Sequence, residues 1–205
     1  MKIEFHQHRP ALIAAVLALP LILSVQASAA PQRPNAEALM ASQRAAMESL
    51  SFMDGAWRGP AWAVTADGKR HNLTQTERVG PLLGGTVKLV EGRGYETDGR
   101  TGFNALGVIS YNPATKAYTI QSYASGSVGA FPLRATGSGF TWQIPAGPGA
   151  VVRFTATFER GTWLEIGERV AEGAPPVKIF EMRLTRLGDS AWPAGNPVPP
   201  RTSNP

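Results

Sequence analysis

The side chains able to move a proton or hold an ion are few. Three glutamates stand on apolar faces of alternating segments. Glu77 shares its parity with Leu73 and Val79, Glu91 with Val87 and Leu89, and Glu168 with Leu164, Ile166 and Val170. If those faces are interior, three carboxyls enter one space. Burial there raises a carboxyl's pKa and makes it a candidate acid or base. Arg134, Arg186, Tyr118, Gln121 and Tyr123 are the polar partners within reach, with the facing of residues 116–125 left open by the pattern. The functional readings are a polar floor in a small-ligand pocket or carboxyls available for acid/base work. Against both stand buried pairs that fill a tapered interior and set register, or a parity reversed by one bulge. The candidate ligand contacts are Glu77, Glu91, Tyr123, Trp142 and Glu168, and no catalytic residue declares itself.

Other chemistries lack their residues. The chain has no cysteine, so disulfides, thiolate metal sites and thiol nucleophiles are excluded. Its histidines are His6, His8 and His71, and no G-x-S-x-G elbow, P-loop, G-x-G-x-x-G or H-E-x-x-H occurs. His71, beside the Asp67-Gly68 turn, is expected to be exposed. No metal and no cofactor is implied. Basic residues are scattered, with no cluster longer than Lys69-Arg70-His71, so the concentrated stripe that nucleic acid requires is missing.

The elements that must position these residues divide the 205-residue chain into four parts. Residues 1–29 read as a secretory signal peptide. Lys2 and Arg9 precede a charge-free apolar run from Ala11 to Val25, and Ala27-Ser28-Ala29 supplies a small-x-small cleavage pattern. Fifteen helical residues reach roughly 22 Å, short of a ~30 Å hydrocarbon core, and Pro20 interrupts the run. Cleavage near Ala29-Ala30 places the mature protein in the bacterial periplasm or outside the cell, with no stable membrane insertion. Losing Lys2, Arg9 and Glu4 lowers the net charge from +5 to +4.

Residues 30–51 carry one amphipathic helix. Asn35 is its expected N-cap, and Leu39, Ala46, Met47 and Leu50 share a face. All 22 glycines lie at Gly55 or beyond, and from there the pattern has period two. Val152, Phe154, Ala156 and Phe158 alternate with polar residues, as do Phe180, Met182 and Leu184. Gly- or Pro-bearing turns cut residues 52–187 into about ten strands, with no gap long enough for a crossover helix. An antiparallel meander of that width curls and closes to remove its edges. The expected fold is all-β, an up-and-down barrel of about ten strands with one N-terminal α-helix; a β-sandwich is the alternative. Residues 188–205 are a Pro-rich tail, expected to be extended and disordered.

Some of these residues also form a known pattern. Gly55-Ala56-Trp57-Arg58-Gly59 opens the first strand and Arg183-Leu184-Thr185-Arg186 ends the last. This resembles the lipocalin (calycin) signature, in which a Trp closes the barrel floor beneath an Arg of the final strand. Glu77, Gly84-Gly85, the run from Gly107 to Tyr118 and the run from Glu181 to Arg186 extend the match over roughly residues 50–187. The chain thereby resembles an uncharacterised bacterial family of secreted lipocalin-like domains. The resemblance implies a fold and no activity. The outline is also similar to haem-binding nitrobindin-type barrels, but their axial His near the C-terminal strands has no counterpart here.

Parity gives the Trp–Arg pair independent support. Arg186 falls in step with Phe180, Met182 and Leu184, so it is expected to point inward and meet Trp57 in a cation–π contact as a structural plug. Trp62, Tyr118, Tyr123, Phe140, Trp142, Phe154, Phe158 and Phe180 supply aromatic surface for a cavity. Together these features favour a barrel that binds a small, partly apolar ligand in its lumen. The other functions open to the sequence are an acid/base enzyme of isomerase, cyclase or hydrolase type, and a protein-interaction barrel with a filled core.

Overall fold

The computed structural model describes residues 35–193. The expected signal peptide and the last residues of the tail lie outside them. Helix α1 (Ala36–Glu48) starts at Asn35, whose side chain accepts the Glu37 backbone N–H at 3.0 Å. Ten strands follow: β1 (Gly55–Val64), β2 (Arg70–Leu82), β3 (Val87–Tyr95), β4 (Thr101–Asn112), β5 (Ala117–Ala124), β6 (Ser127–Ala135), β7 (Gly139–Pro145), β8 (Ala150–Glu159), β9 (Thr162–Ala171) and β10 (Val177–Gly188). Each pairs antiparallel with its sequence neighbour, and β1 also pairs with β10. The barrel is closed, as the meander argument requires. Among the described residues no helix is long and apolar enough to cross a membrane.

Two glycine-rich stretches belong partly to strands. β2 continues through Gly80 and Pro81 before turning at Leu83–Gly85, and the turn before β6 takes only Ser125 and Gly126. Gly80 and Gly129 are strand residues. A Cβ on Gly80 would lie 2.2 Å from the Trp192 carbonyl oxygen, so this glycine lets the chain beyond β10 cross β2. Arg78 holds its guanidinium 4.7 Å from the Trp192 ring centroid there.

One end of the barrel is shut. Met47, Leu50 and Met53 come down from α1 and the turn after it onto Trp57, Val79, Ile109, Phe158, Trp163 and Leu184, all buried. Trp57 donates its indole N–H to the Met53 carbonyl at 2.9 Å. The Tyr118 hydroxyl donates to the Ala46 carbonyl at 3.0 Å and lies 2.9 Å from the Ser49 hydroxyl, fastening the C-terminal end of α1 to β5. Lys88, 1% exposed, reaches Asp54, the residue after Met53, in an ion pair.

The Trp57–Arg186 plug is corrected. The two residues are register partners and Arg186 keeps the inward parity, but it stands at the barrel's rim, beyond the cluster. Its guanidinium donates to the Asp54 carbonyl at 3.3 Å and to the Asp189 carboxylate, across the space that Gly55 leaves open. Aromatic edges take its place on Trp57: Phe158 at 5.6 Å and Trp163 at 5.8 Å between ring centroids.

Candidate functional site

Above the shut end lies a cavity of about 730 Å³ that reaches the opposite mouth of the barrel. Its walls come from the inward rows of the strands. Leu73, Gln75 and Glu77 line it from β2, and Phe140, Trp142 and Ile144 from β7. Phe154 comes from β8, Trp163 and Glu165 from β9, and Phe180 and Met182 from β10. Trp142 and Phe154 stack with centroids 4.7 Å apart and planes 18° apart, and Phe180 meets Phe154 edge-on at 5.8 Å. Glycines hollow the space. Gly92, Gly107 and Gly129 stand on the lining where larger side chains would fill it. A Cβ on Gly92 would lie 2.7 Å from Glu77 Oε1, and one on Gly167 would lie 2.9 Å from both Phe154 and Phe180.

Two carboxyls sit at the deep end. Glu77 pairs in register with Trp57, and Glu165 is two residues from Trp163, so both stand just above the aromatic floor. Glu77 accepts the Gln75 side-chain N–H at 2.7 Å. Glu165 accepts the Trp142 indole N–H at 3.2 Å. Burial pushes the Glu77 pKa up to about 8, against the Gln75 hydrogen bond and reinforced by the Glu165 and Glu91 charges. Burial pushes Glu165 up to about 7, against the neighbouring Trp142 and Trp163 indoles. Trp163 Nε1 approaches Glu165 without hydrogen-bonding geometry. Among the described residues it is the buried side-chain polar atom left without a partner. Among the described residues no lysine or arginine lines the cavity; its titratable side chains are Glu77, Glu165 and, toward the mouth, His71. His71 Nε2 lies 3.0 Å from Glu96 Oε1.

The structure places Glu77 and Trp142 together in the lumen and puts the other three sequence candidates elsewhere. Glu91 is on the outer wall, held by Arg78 and Arg93. Burial raises its pKa, but the two guanidiniums outweigh that and hold it below the usual carboxylate range. Glu168 is also outside, 2.9 Å from Arg153. Tyr123 is 45% exposed, on the face opposite Ile120, Ser122 and Ala124 of the lining. Arg134 is exposed and Gln121 is off the lining, so neither meets the lumen carboxyls.

The parity of Glu91 and Glu168 fails for one physical reason. On β3 and β9 the inward row carries glycines, Gly92 and Gly94 or Gly167, while the large apolar residues Leu89, Leu164 and Ile166 stand half-buried on the outer wall. An alternation argument counts apolar bulk and so picks the wrong face. The same glycines hide Glu165 from it. The signal for that residue is Trp163-x-Glu165-x-Gly167, a row with an aromatic at the floor, a carboxyl and a gap.

No family model matches the chain, and no curated protein matches it. Among solved structures, Rv2717c from M. tuberculosis superposes with a TM-score of 0.52 at 11% identity, covering 69% of this chain and 96% of that one. The S-type phycobiliprotein lyase CPES from Guillardia theta superposes with a TM-score of 0.47 at 9% identity, covering 74% of this chain and 98% of that one. What the chain shares with Rv2717c at that identity is the fold alone, here a closed antiparallel barrel.

Proposed function

We propose that this protein is a secreted or periplasmic barrel that binds a small, partly apolar molecule in its lumen. The observation that carries the reading is the cavity itself. Its volume, about 730 Å³, falls among ligand sites, which run to roughly 300–1,000 Å³. Its walls are mostly apolar and aromatic, with a few convergent polar groups at the bottom, the usual division between affinity and orientation. A filled protein-interaction barrel would place large side chains where Gly92, Gly107 and Gly129 stand. The address rests on the leader pattern of residues 1–29, with a mature chain beginning near Ala30.

Native mass spectrometry of the protein purified from its own host tests both statements. The expected spectrum shows the chain without residues 1–29, carrying a small molecule that denaturation releases. An intact chain retaining Met1 overturns the address. A ligand-free mass, together with failure of the neutral dye N-phenyl-1-naphthylamine to bind, overturns the lumen reading. A second reading, acid/base catalysis, is favoured by the same two carboxyls, each shifted toward neutrality. Incubation with the released molecule separates the two: an enzyme alters it, and a binding barrel returns it unchanged.

A further inference from the structure

We propose that the lumen selects organic cations, seating an ammonium or other cationic head between Glu77 and Glu165 with its apolar body against the Trp142–Phe154 wall. The inference rests on the lumen being a ligand site and names the class of ligand.

The charges of the lining point one way. Two buried acids line one cavity, close enough for the charge of Glu165 to act on Glu77, and no lysine or arginine of the described lining answers them. Burying a carboxylate without a partner is costly, and proteins ordinarily supply a cation or replace the acid. This chain does supply one at its floor, where Lys88 meets Asp54. In the lumen the counter-charge is left to a visitor.

The hydrogen bonds agree. The side-chain partners of the two carboxyls are donors, Gln75 Nε2 on Glu77 and Trp142 Nε1 on Glu165. The unpartnered Trp163 Nε1 stands close by as another donor. Donors stabilise the ionised acid, and the indole N–H groups of Trp142 and Trp163 have no acceptor to offer a carboxylic proton. A neutral ligand leaves those donors facing a protonated group. An anionic ligand would face two acids. A cation stabilises both carboxylates, and the faces of Trp142, Phe154 and Trp163 attract it as well.

The charged groups around the pair do not reverse this balance. Behind Glu77 on the outer wall, Glu91 is neutralised by Arg78 and Arg93. Beneath the floor, Asp54 is engaged by Lys88. At the mouth, His71 is engaged by Glu96.

The test uses three probes of one shape on the mature protein: trimethylphenylammonium, tert-butylbenzene and benzenesulfonate. Each competes with bound N-phenyl-1-naphthylamine at pH 7. The expected order is cation, then neutral, then anion, with the cation at least about tenfold tighter than its neutral isostere. Calorimetry in two buffers of different ionisation enthalpy should show protons released as the cation binds and none as the neutral probe binds. Glu77→Gln and Glu165→Gln should each weaken the cation about 30-fold or more, abolish part of the proton release and erase most of the cation's advantage over its neutral isostere. Both variants keep the size and neutral hydrogen bonding of a protonated Glu, and an unchanged circular dichroism spectrum reports that they fold. Equal affinity for cation and neutral isostere, or tighter binding of the sulfonate, overturns the inference while dye binding keeps the lumen reading. Failure of the dye and all three probes to bind overturns both.

Discussion

The barrel buries acids at two levels and treats them differently. At the floor, Asp54 has Lys88, which is 1% exposed. Burial pushes the Asp54 pKa up, and the lysine pulls against it. A few residues higher, Glu77 and Glu165 have only neutral donors, and their pKa values rise to about 8 and about 7. The contrast is one of completeness. The floor supplies its own counter-charge, with the lysine buried and the aspartate partly open to solvent. The lumen is left electrostatically open in a space large enough for a guest. On the proposed reading, stability and ligand binding are segregated along the barrel axis, and the comparison can be broken at either level.

The largest effect is expected at the floor. Lys88→Met leaves Asp54 without its cation and should cost about 3 kcal/mol in urea unfolding, the low end for a broken buried pair, because Asp54 keeps partial solvent access. Adding Asp54→Asn should recover most of that loss. If the double variant is as unstable as Lys88→Met, the pair is not what completes the floor.

Next comes the lumen, where the sign is opposite. A carboxyl whose folded pKa lies above its unfolded value holds its proton more tightly when folded. It contributes stability that is full below about 4.5 and is lost as pH rises through about 7 for Glu165 and about 8 for Glu77. A gap of one pH unit between the folded and unfolded pKa values corresponds to about 1.4 kcal/mol, which water penetration reduces. Glu77→Gln should therefore be nearly neutral at pH 4.5 and stabilising by about 2–3 kcal/mol at pH 9. A stability difference that stays flat from pH 4.5 to 9 would place Glu77 in water and remove the contrast between the levels.

A smaller effect separates the seal from the helix that covers it. Tyr118→Phe deletes the hydroxyl that donates to the Ala46 carbonyl and meets Ser49. The loss should be about 1 kcal/mol, with amide exchange rising at the end of α1 and unchanged in the strands. Equal acceleration in β1 and β10 would mean that the helix and barrel floor unfold as one.

The two levels also differ in how much of them the sequence discloses. β8 and β10 are legible because Phe154, Ala156, Phe158 and Phe180, Met182, Leu184 put apolar bulk inside and charge outside. The barrel's closure is legible because about ten short strands lack crossovers. Leu73 and Val79 place Glu77 correctly. Its true companion is hidden, because alternation registers what a row contains and a lumen is made by what its rows omit. Gly92, Gly94 and Gly167 give no apolar signal, so Leu89, Leu164 and Ile166 draw Glu91 and Glu168 inward on paper. Mid-strand glycines in step with an aromatic and a carboxyl are the pattern that finds Glu165.

The smallest effect tests the family signature itself. A plug in which Arg186 stacks on Trp57 would make Arg186→Ala a core mutation. The observed guanidinium lies at the rim, its side chain 38% exposed, bonded to the Asp54 carbonyl and to the almost fully exposed Asp189. Exposed ion pairs contribute about 0–1 kcal/mol, because water already solvates both charges and two long side chains lose freedom in pairing. Trp57 meanwhile keeps Phe158, Trp163 and the Met53 carbonyl whatever stands at position 186. Arg186→Ala should thus lower stability by less than about 1 kcal/mol, whereas Trp57→Ala should cost about 3–5 kcal/mol as a buried aromatic removed from a packed cluster. If the two substitutions prove equally damaging, the arginine is part of the seal after all, and the floor extends one layer further than its aromatic edges indicate.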